Sequence, residues 1–266
     1  MIINFSLKKM KKINILLFIA IIFISCNPSG DEDLTNNLTL ELHTVNTNVS
    51  IDEILPITIT ANKAIMGVDY SLDNFVTSAS QFTNFGNSTT VYLNTSKLGK
   101  KQVGIKITDT ENNTATKTIT IIVEKGNAVQ LKSLLVNSFY NINQSWDTEF
   151  SASDPNRLAD VVFVLIKPQI GVFSGQMSQQ LWFKSSIKQN QGDLNWNLVS
   201  ENLYVNPNTI LKFSLADDDG AFSQDLMLGP PFERDIDLNY FGTSKPDPIN
   251  FKDTAINLDV DLKVVW

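Results

Sequence analysis

Ile256-Asn257-Leu258-Asp259-Val260-Asp261-Leu262-Lys263-Val264 alternates without a break. Ile256, Leu258, Val260, Leu262 and Val264 face one way and polar residues face the other, the period of an antiparallel strand half-buried against a core. Upstream, Val129 to Val136 (VQLKSLLV), Val161 to Ile166 (VVFVLI), Leu181 to Ile187 (LWFKSSI) and Thr209 to Ala216 (TILKFSLA) are further apolar, strand-like runs. The first half of the chain repeats the theme in shorter pieces. Leu38, Leu40 and Leu42 alternate, as do Ile57 and Ile59, Val68, Tyr70 and Leu72, Val91 and Leu93, Val103, Ile105 and Ile107, and Ile119, Ile121 and Val123. Asn, Asp and Gly turns separate these runs, and no window carries an apolar stripe of helical period. The fold class is therefore all-β: two consecutive antiparallel β-sandwiches, over 38–124 and 128–266, with Glu124-Lys125-Gly126-Asn127 as a hinge.

Composition closes off several chemistries. The 266 residues include one cysteine and one histidine, His43. No internal disulfide is possible, and histidine-dependent nucleophilic or multi-histidine zinc sites are excluded. The net charge of −7 argues against nucleic acid, whose phosphates call for a basic face. No Gly-rich phosphate loop or nucleophile elbow is present, and no catalytic residue is expected. His43 reads as a plain surface or edge residue.

The amino terminus gives an address. Lys8, Lys9, Lys11 and Lys12 precede an unbroken apolar run, Ile15 to Ile24, too short to span a bilayer as a helix. Ser25 and Cys26 follow, which completes the pattern of a secretory signal peptide over 1–25. Phe23-Ile24-Ser25-Cys26 resembles the lipobox of bacterial lipoproteins. The resemblance implies a covalent lipid on Cys26 as membrane anchor and a location on the outer membrane of a Gram-negative bacterium, exposed at the surface. Cleavage before Cys26 would leave 17 basic and 28 acidic residues, a net charge of −11. Residues 26–37 form an acidic tether. Asp31-Glu32-Asp33 resembles the surface-export signal of some lipoproteins, and equally suits a solvated linker.

Gly99 to Val123, GKKQVGIKITDTENNTATKTITIIV, resembles the closing hairpin of bacterial immunoglobulin-like and PKD-like modules, which implies a spacer or weak binder over 38–124. It lacks the Cys–Trp–Cys core of antibody domains.

Two loops of the second region concentrate aspartates just beyond apolar strands. One carries Trp146, Asp147, Glu149, Phe150 and Ser153-Asp154-Pro155. The other carries Asp217-Asp218-Asp219-Gly220, then Phe222 and Asp225. Crowded carboxylates repel one another, and a calcium ion with six to eight oxygen ligands relieves that repulsion. Asp and Gly also favour ordinary turns. Val129 to Trp266 resembles a C2 domain: Asp147 and Asp154 fall at its first-loop acids, Asn195-Trp196-Asn197 at its Trp motif, and Asp217, Asp219 and Asp225 at its third-loop acids. The resemblance implies calcium held by Asp147, Asp154, Asp217, Asp219 and Asp225, with open coordination sites offered to an anionic ligand. Asp218 reads as solvated, as do Lys184 and Lys188.

Trp146, Phe150 and Phe222 would border such a rim, as lipid-inserting or glycan-stacking groups or as core. Trp182 and Trp196 read as core. The expected function is a lipid-anchored surface protein that binds a lipid, glycan or protein partner through calcium. The alternative is a metal-independent accessory lipoprotein of a glycan-uptake or adhesion system that binds through exposed aromatics.

Overall fold

In the computed structural model, residues 37–220 and 223–266 are described. The signal peptide, Cys26, the acidic tether up to residue 36, and Phe222 lie outside them. The first region is built from β1 (Leu40–His43), β2 (Asn48–Ser50), β3 (Ile54–Ser71), β4 (Ala79–Asn94), β5 (Gly99–Asp109) and β6 (Thr114–Glu124). All six belong to one hydrogen-bonded sheet, and β2 beside β6 is its parallel pair.

The sheet becomes a sandwich because β3 changes neighbours along its length. Its first part pairs with β1 and with the second part of β4. Its second part pairs with β5 and with the first part of β4. The register with β4 breaks between Thr60 and Ile65, the irregularity that lets a strand turn a corner from one layer to the other. Ile57, Ile59, Ile65, Val91, Val103, Ile105, Ile107 and Ile121, from both arms, are fully buried in one shared core. The sequence suggested separate strands around Ile57 and Val68, whereas one bent strand joins them. Most of β4 escaped the pattern because Ala79 to Asn84 is exposed and polar-rich, and backbone pairing with β3, with the Ser80–Asp69 hydrogen bond, holds it in the sheet.

The second region comprises β7 (Val129–Ser138), β8 (Val161–Ile170), β9 (Met177–Lys184), β10 (Asn195–Asn197), β11 (Tyr204–Val205), β12 (Leu211–Asp218), β13 (Ser223–Asp225), β14 (Arg234–Ile236), β15 (Ile249–Asp253) and β16 (Leu258–Val265). One sheet runs β10-β7-β16-β15 with β11 also on β7. The other runs β13-β12-β8-β9 with β14 also on β12. Aromatic pairs bridge them. Phe163 of β8 meets Trp196 of β10 edge-on at 5.1 Å, and Phe213 of β12 meets Phe251 of β15 at 5.4 Å. The apolar face of β16 is buried as its alternation requires, but the strand begins at Leu258. Ile256 lies in a tight turn capped by the Asp253 side chain.

The segment 124–127, expected as a hinge, is a largely exposed turn tied at its end to the two cores. Ala128 is buried in the first core and its neighbour Val129 in the second, so the crossing leaves no slack. Asn94 clamps the end of β8, with Nδ2 donating to the Ile170 carbonyl at 2.7 Å and Oδ1 accepting from its N–H at 2.9 Å. Val172 and Phe173 pack on the first core. Lys167, 1% exposed, meets Asp52 of the first region at 2.5 Å and lies 4.1 Å from the centre of the Trp182 ring. Residues 37–266 make one compact unit. Pro168 is tolerated in β8 because the pairing with β12 has already ended at Ile166.

Candidate metal centre

The opposite end of β8 carries the acids. The last residues of β12 pair with the start of β8, Asp217 opposite Val161. The Asp160 N–H donates to Asp217 Oδ1 at 2.6 Å, and the Asp218 N–H donates to the Asp160 carbonyl at 2.9 Å. Alternation sends Asp217 inward and completely out of solvent. Its second oxygen, Oδ2, is buried with no hydrogen-bond partner among the described residues. A buried carboxylate oxygen left this way is expensive.

Beyond β12, Gly220 turns the chain in a left-handed conformation at φ +80°, with its N–H on Asp218 Oδ1 at 3.1 Å. Asp147 arrives from the loop between β7 and β8. Arg157 fixes that loop: its carbonyl accepts from the N–H groups of Trp146 and Asp147, while its guanidinium donates to the carbonyls of Ala152 and Asn143. Asp147, Asp217 and Asp219 each bring one oxygen within 4.8 Å of the others.

The electrostatics follow from this crowding. Burial pushes the Asp147 carboxyl up to about 6, with the charges of Asp219, Glu149 and Asp160 adding to the effect. Burial also pushes Asp217 up to about 6. The N–H of Asp160 works against that rise, and the charges of Asp219, Asp147 and Asp160 work with it. These are the marks of a site that lacks positive charge. Three carboxylates with an inward-facing bare oxygen suit a hard, oxygen-seeking cation, for which calcium's flexible coordination is the better match than magnesium's octahedron.

Three of the five expected ligands thus come together and two stand apart. Asp154 caps the short turn Pro155–Arg157, with Oδ1 accepting from the Asn156 N–H at 2.9 Å. Its Ser-Asp-Pro setting is a turn signal as much as a ligand signal. Asp225 spends both oxygens on backbone N–H groups, of Met227 at 2.8 Å and Gly229 at 2.6 Å. Asp218 is not solvated: it is buried and paired with Lys184 at 2.7 Å, so Lys184 is not a free lysine either.

The sequence reading missed Asp160. It lines the same cleft as Asp147, Glu149, Phe150, Asn190 and Asp219, and its Oδ1 accepts from the Asn190 N–H at 2.8 Å. Its signal was present: an acid immediately before the buried run Val161-Val162-Phe163, the mirror of Asp217 at the end of β12. Among the expected ligand-binding aromatics, Phe150 is 38% exposed and borders the cleft. Trp146 packs on the second core and donates its Nε1–H to the Asn141 carbonyl at 3.2 Å. Trp196 is buried, and its Nε1–H donates to the Ser186 carbonyl at 2.8 Å. His43 is exposed beside Glu41 at 3.3 Å.

No family model matches the chain, and no curated protein matches it. Three solved structures show what it is similar to. The fibronectin(III)-like modules of CbhA from Clostridium thermocellum are 12% identical, over 70% of this chain and 90% of that one, with a TM-score of 0.27. Dimeric latent PorU from Porphyromonas gingivalis is 9% identical, over 79% of this chain but 21% of that one, with a TM-score of 0.28. A structure of promiscuous carbohydrate-binding modules of the β-sandwich superfamily is 9% identical, over 86% of this chain and 98% of that one, with a TM-score of 0.27. Scores this low leave the all-β sandwich architecture to rest on the strand pairing of the chain itself.

Proposed function

We propose that this chain is a lipid-anchored protein of a Gram-negative outer membrane, displayed at the surface, whose second sandwich binds calcium and engages a ligand at that rim. The observation that carries the calcium site is the buried Asp217 carboxylate, whose Oδ2 has no partner among the described residues and which brings one oxygen within 4.8 Å of oxygens from Asp147 and Asp219. A cation at that point would partner the bare oxygen and lower the mutual repulsion of the three acids. The anchor at Cys26 is proposed from the sequence.

Geometry supports the division of labour. β8 has ten residues, roughly 30 Å of strand, with the Asn94 clamp at its last residue and the acids at its first. The first sandwich would therefore act as a spacer, with the rim at the far end of the second. No catalytic role is proposed. The second reading, metal-independent binding through exposed aromatics, draws on the exposure of Phe150.

Thermal unfolding of the full-length chain in calcium, magnesium and chelator tests the site. Calcium at about 100 times its Kd should add roughly 2.7 kcal/mol of stability, with much less from magnesium. An unfolding temperature indifferent to calcium, or a calcium shift that survives Asp217→Asn, sinks the assignment.

A further inference from the structure

The cleft around the acids has a chemistry that narrows the ligand, given the calcium reading above. Asp147, Glu149, Asp160 and Asp219 line it, and Asp217 lies within reach of Asp147 and Asp219. No lysine or arginine is among its described lining residues. Nearby, Arg157 is committed to the carbonyls of Ala152 and Asn143, and Lys184 to Asp218. One divalent cation set against five carboxylates leaves a formal charge of −3. A phosphate or an anionic lipid headgroup would meet net repulsion there even with calcium in place.

The remaining wall is of another kind. It holds the amides of Asn156, Gln189 and Asn190 and the exposed ring of Phe150. Asn190 Nδ2 donates to Asn156 Oδ1 at 3.2 Å, an arrangement that keeps a donor on Asn156 and an acceptor on Asn190 for a third party. Neutral donors and acceptors beside an apolar ring, next to a hard cation, suit a molecule with hydroxyls on its edge and C–H groups on its face.

We infer that the rim binds a neutral, hydroxyl-rich glycan. Adjacent sugar hydroxyls complete the coordination of a calcium ion seated on Asp147, Asp217 and Asp219. The amides of Asn156 and Asn190 bond further hydroxyls, and the ring of Phe150 covers the apolar face of the sugar. Hydroxyl oxygens add no charge, so the excess of carboxylates is tolerated. The anionic ligand expected from the C2 resemblance fits this wall less well.

The test uses the full-length chain on columns of mannan, galactan and dextran, and on vesicles of phosphatidylserine and phosphatidylcholine in equal parts, each in calcium and in chelator. Retention on at least one neutral glycan in calcium, with release by chelator, is the expected result. Phe150→Ala should weaken that retention roughly tenfold while leaving the calcium-induced rise in unfolding temperature unchanged. A calcium-induced rise without retention on any of the three glycans overturns the ligand class and leaves the metal site standing. Calcium-dependent binding to the vesicles without glycan retention overturns it in favour of a membrane. Without any calcium-induced rise, the metal site fails and this proposal fails with it.

Discussion

Lys167 and Asp217 are charged side chains shut away from solvent at opposite ends of β8, and the fold treats them differently. Lys167 is answered from two sides, and one of its partners is itself held. Asp52 Oδ1 takes its charge at 2.5 Å, the Trp182 ring lies beside it, and the other Asp52 oxygen is held by the Asn206 N–H at 3.0 Å. Asp217 is answered on one oxygen only, and its neighbours Asp147 and Asp219 share its sign. A satisfied buried charge fixes two parts of a chain against each other. An unsatisfied one costs stability unless something outside the chain completes it. A buried charge therefore marks a structural joint at one end of the strand and, in the proposal above, a binding site at the other.

The contrast breaks most sharply at the joint. Asp52→Ala should destabilise the protein by about 3–5 kcal/mol in urea unfolding, because it strands a buried ammonium. Adding Lys167→Met should recover most of that loss, since the pair rather than the packing is what fails. If Asp52→Ala costs less than about 1 kcal/mol, Lys167 is not the joint's fixed point. At the rim the sign should reverse. Asp217→Asn keeps an oxygen for the Asp160 N–H and replaces the charged carboxylate with a neutral amide beside Asp147 and Asp219. The calcium-free protein should gain up to about 3 kcal/mol, the worth of a carboxyl moved from its ordinary range to about 6. Response to calcium should vanish in the same variant.

pH sharpens the same point. In chelator, the raised values of Asp147 and Asp217 mean that the folded state holds protons more tightly than the unfolded chain. That contribution is complete below about pH 4 and is lost as the pH rises through about 6. The unfolding temperature of the calcium-free protein should therefore fall between those values. In calcium the trend should flatten or invert, because protons and the ion compete for the same oxygens. Parallel curves with and without calcium would separate these carboxyls from any metal site.

How far the sequence could foretell this depends on which kind of signal each feature carries. The buried face of β16 and the strand β12 were legible because alternation and burial coincide in them. Asp217 and Asp219 were legible because two acids spaced by one residue at a strand end must share a side. Asp154 and Asp225 carry the same side chain, but their oxygens go to local backbone N–H groups, and nothing in composition separates a capping aspartate from a ligand. Asp160 carried a local signal, but not its partners: it joins the others only through the pairing of β8 with β12, two strands 41 or more residues apart in sequence. The joint was hidden for a related reason. Lys167, Asn94 and Asp52 are ordinary polar residues until three separate segments meet.

The smallest expected effect tests whether the two sandwiches behave as one body. Asn94 gives Ile170 both a donor and an acceptor, in place of the β12 partner that β8 lacks beyond Ile166. Asn94→Ala removes both bonds and leaves two backbone groups to find water, a loss of about 1–2 kcal/mol. The rim lies roughly 30 Å away along β8, so calcium should raise the unfolding temperature of this variant by as much as it raises that of the parent. Tyr92 still donates its N–H to the Val172 carbonyl at 2.8 Å, and the Lys167–Asp52 pair remains, so a single calorimetric transition should persist. If Asn94→Ala instead splits the transition in two, with only the upper or lower one moved by calcium, the joint depends on this one amide and the sandwiches are otherwise independent folding units.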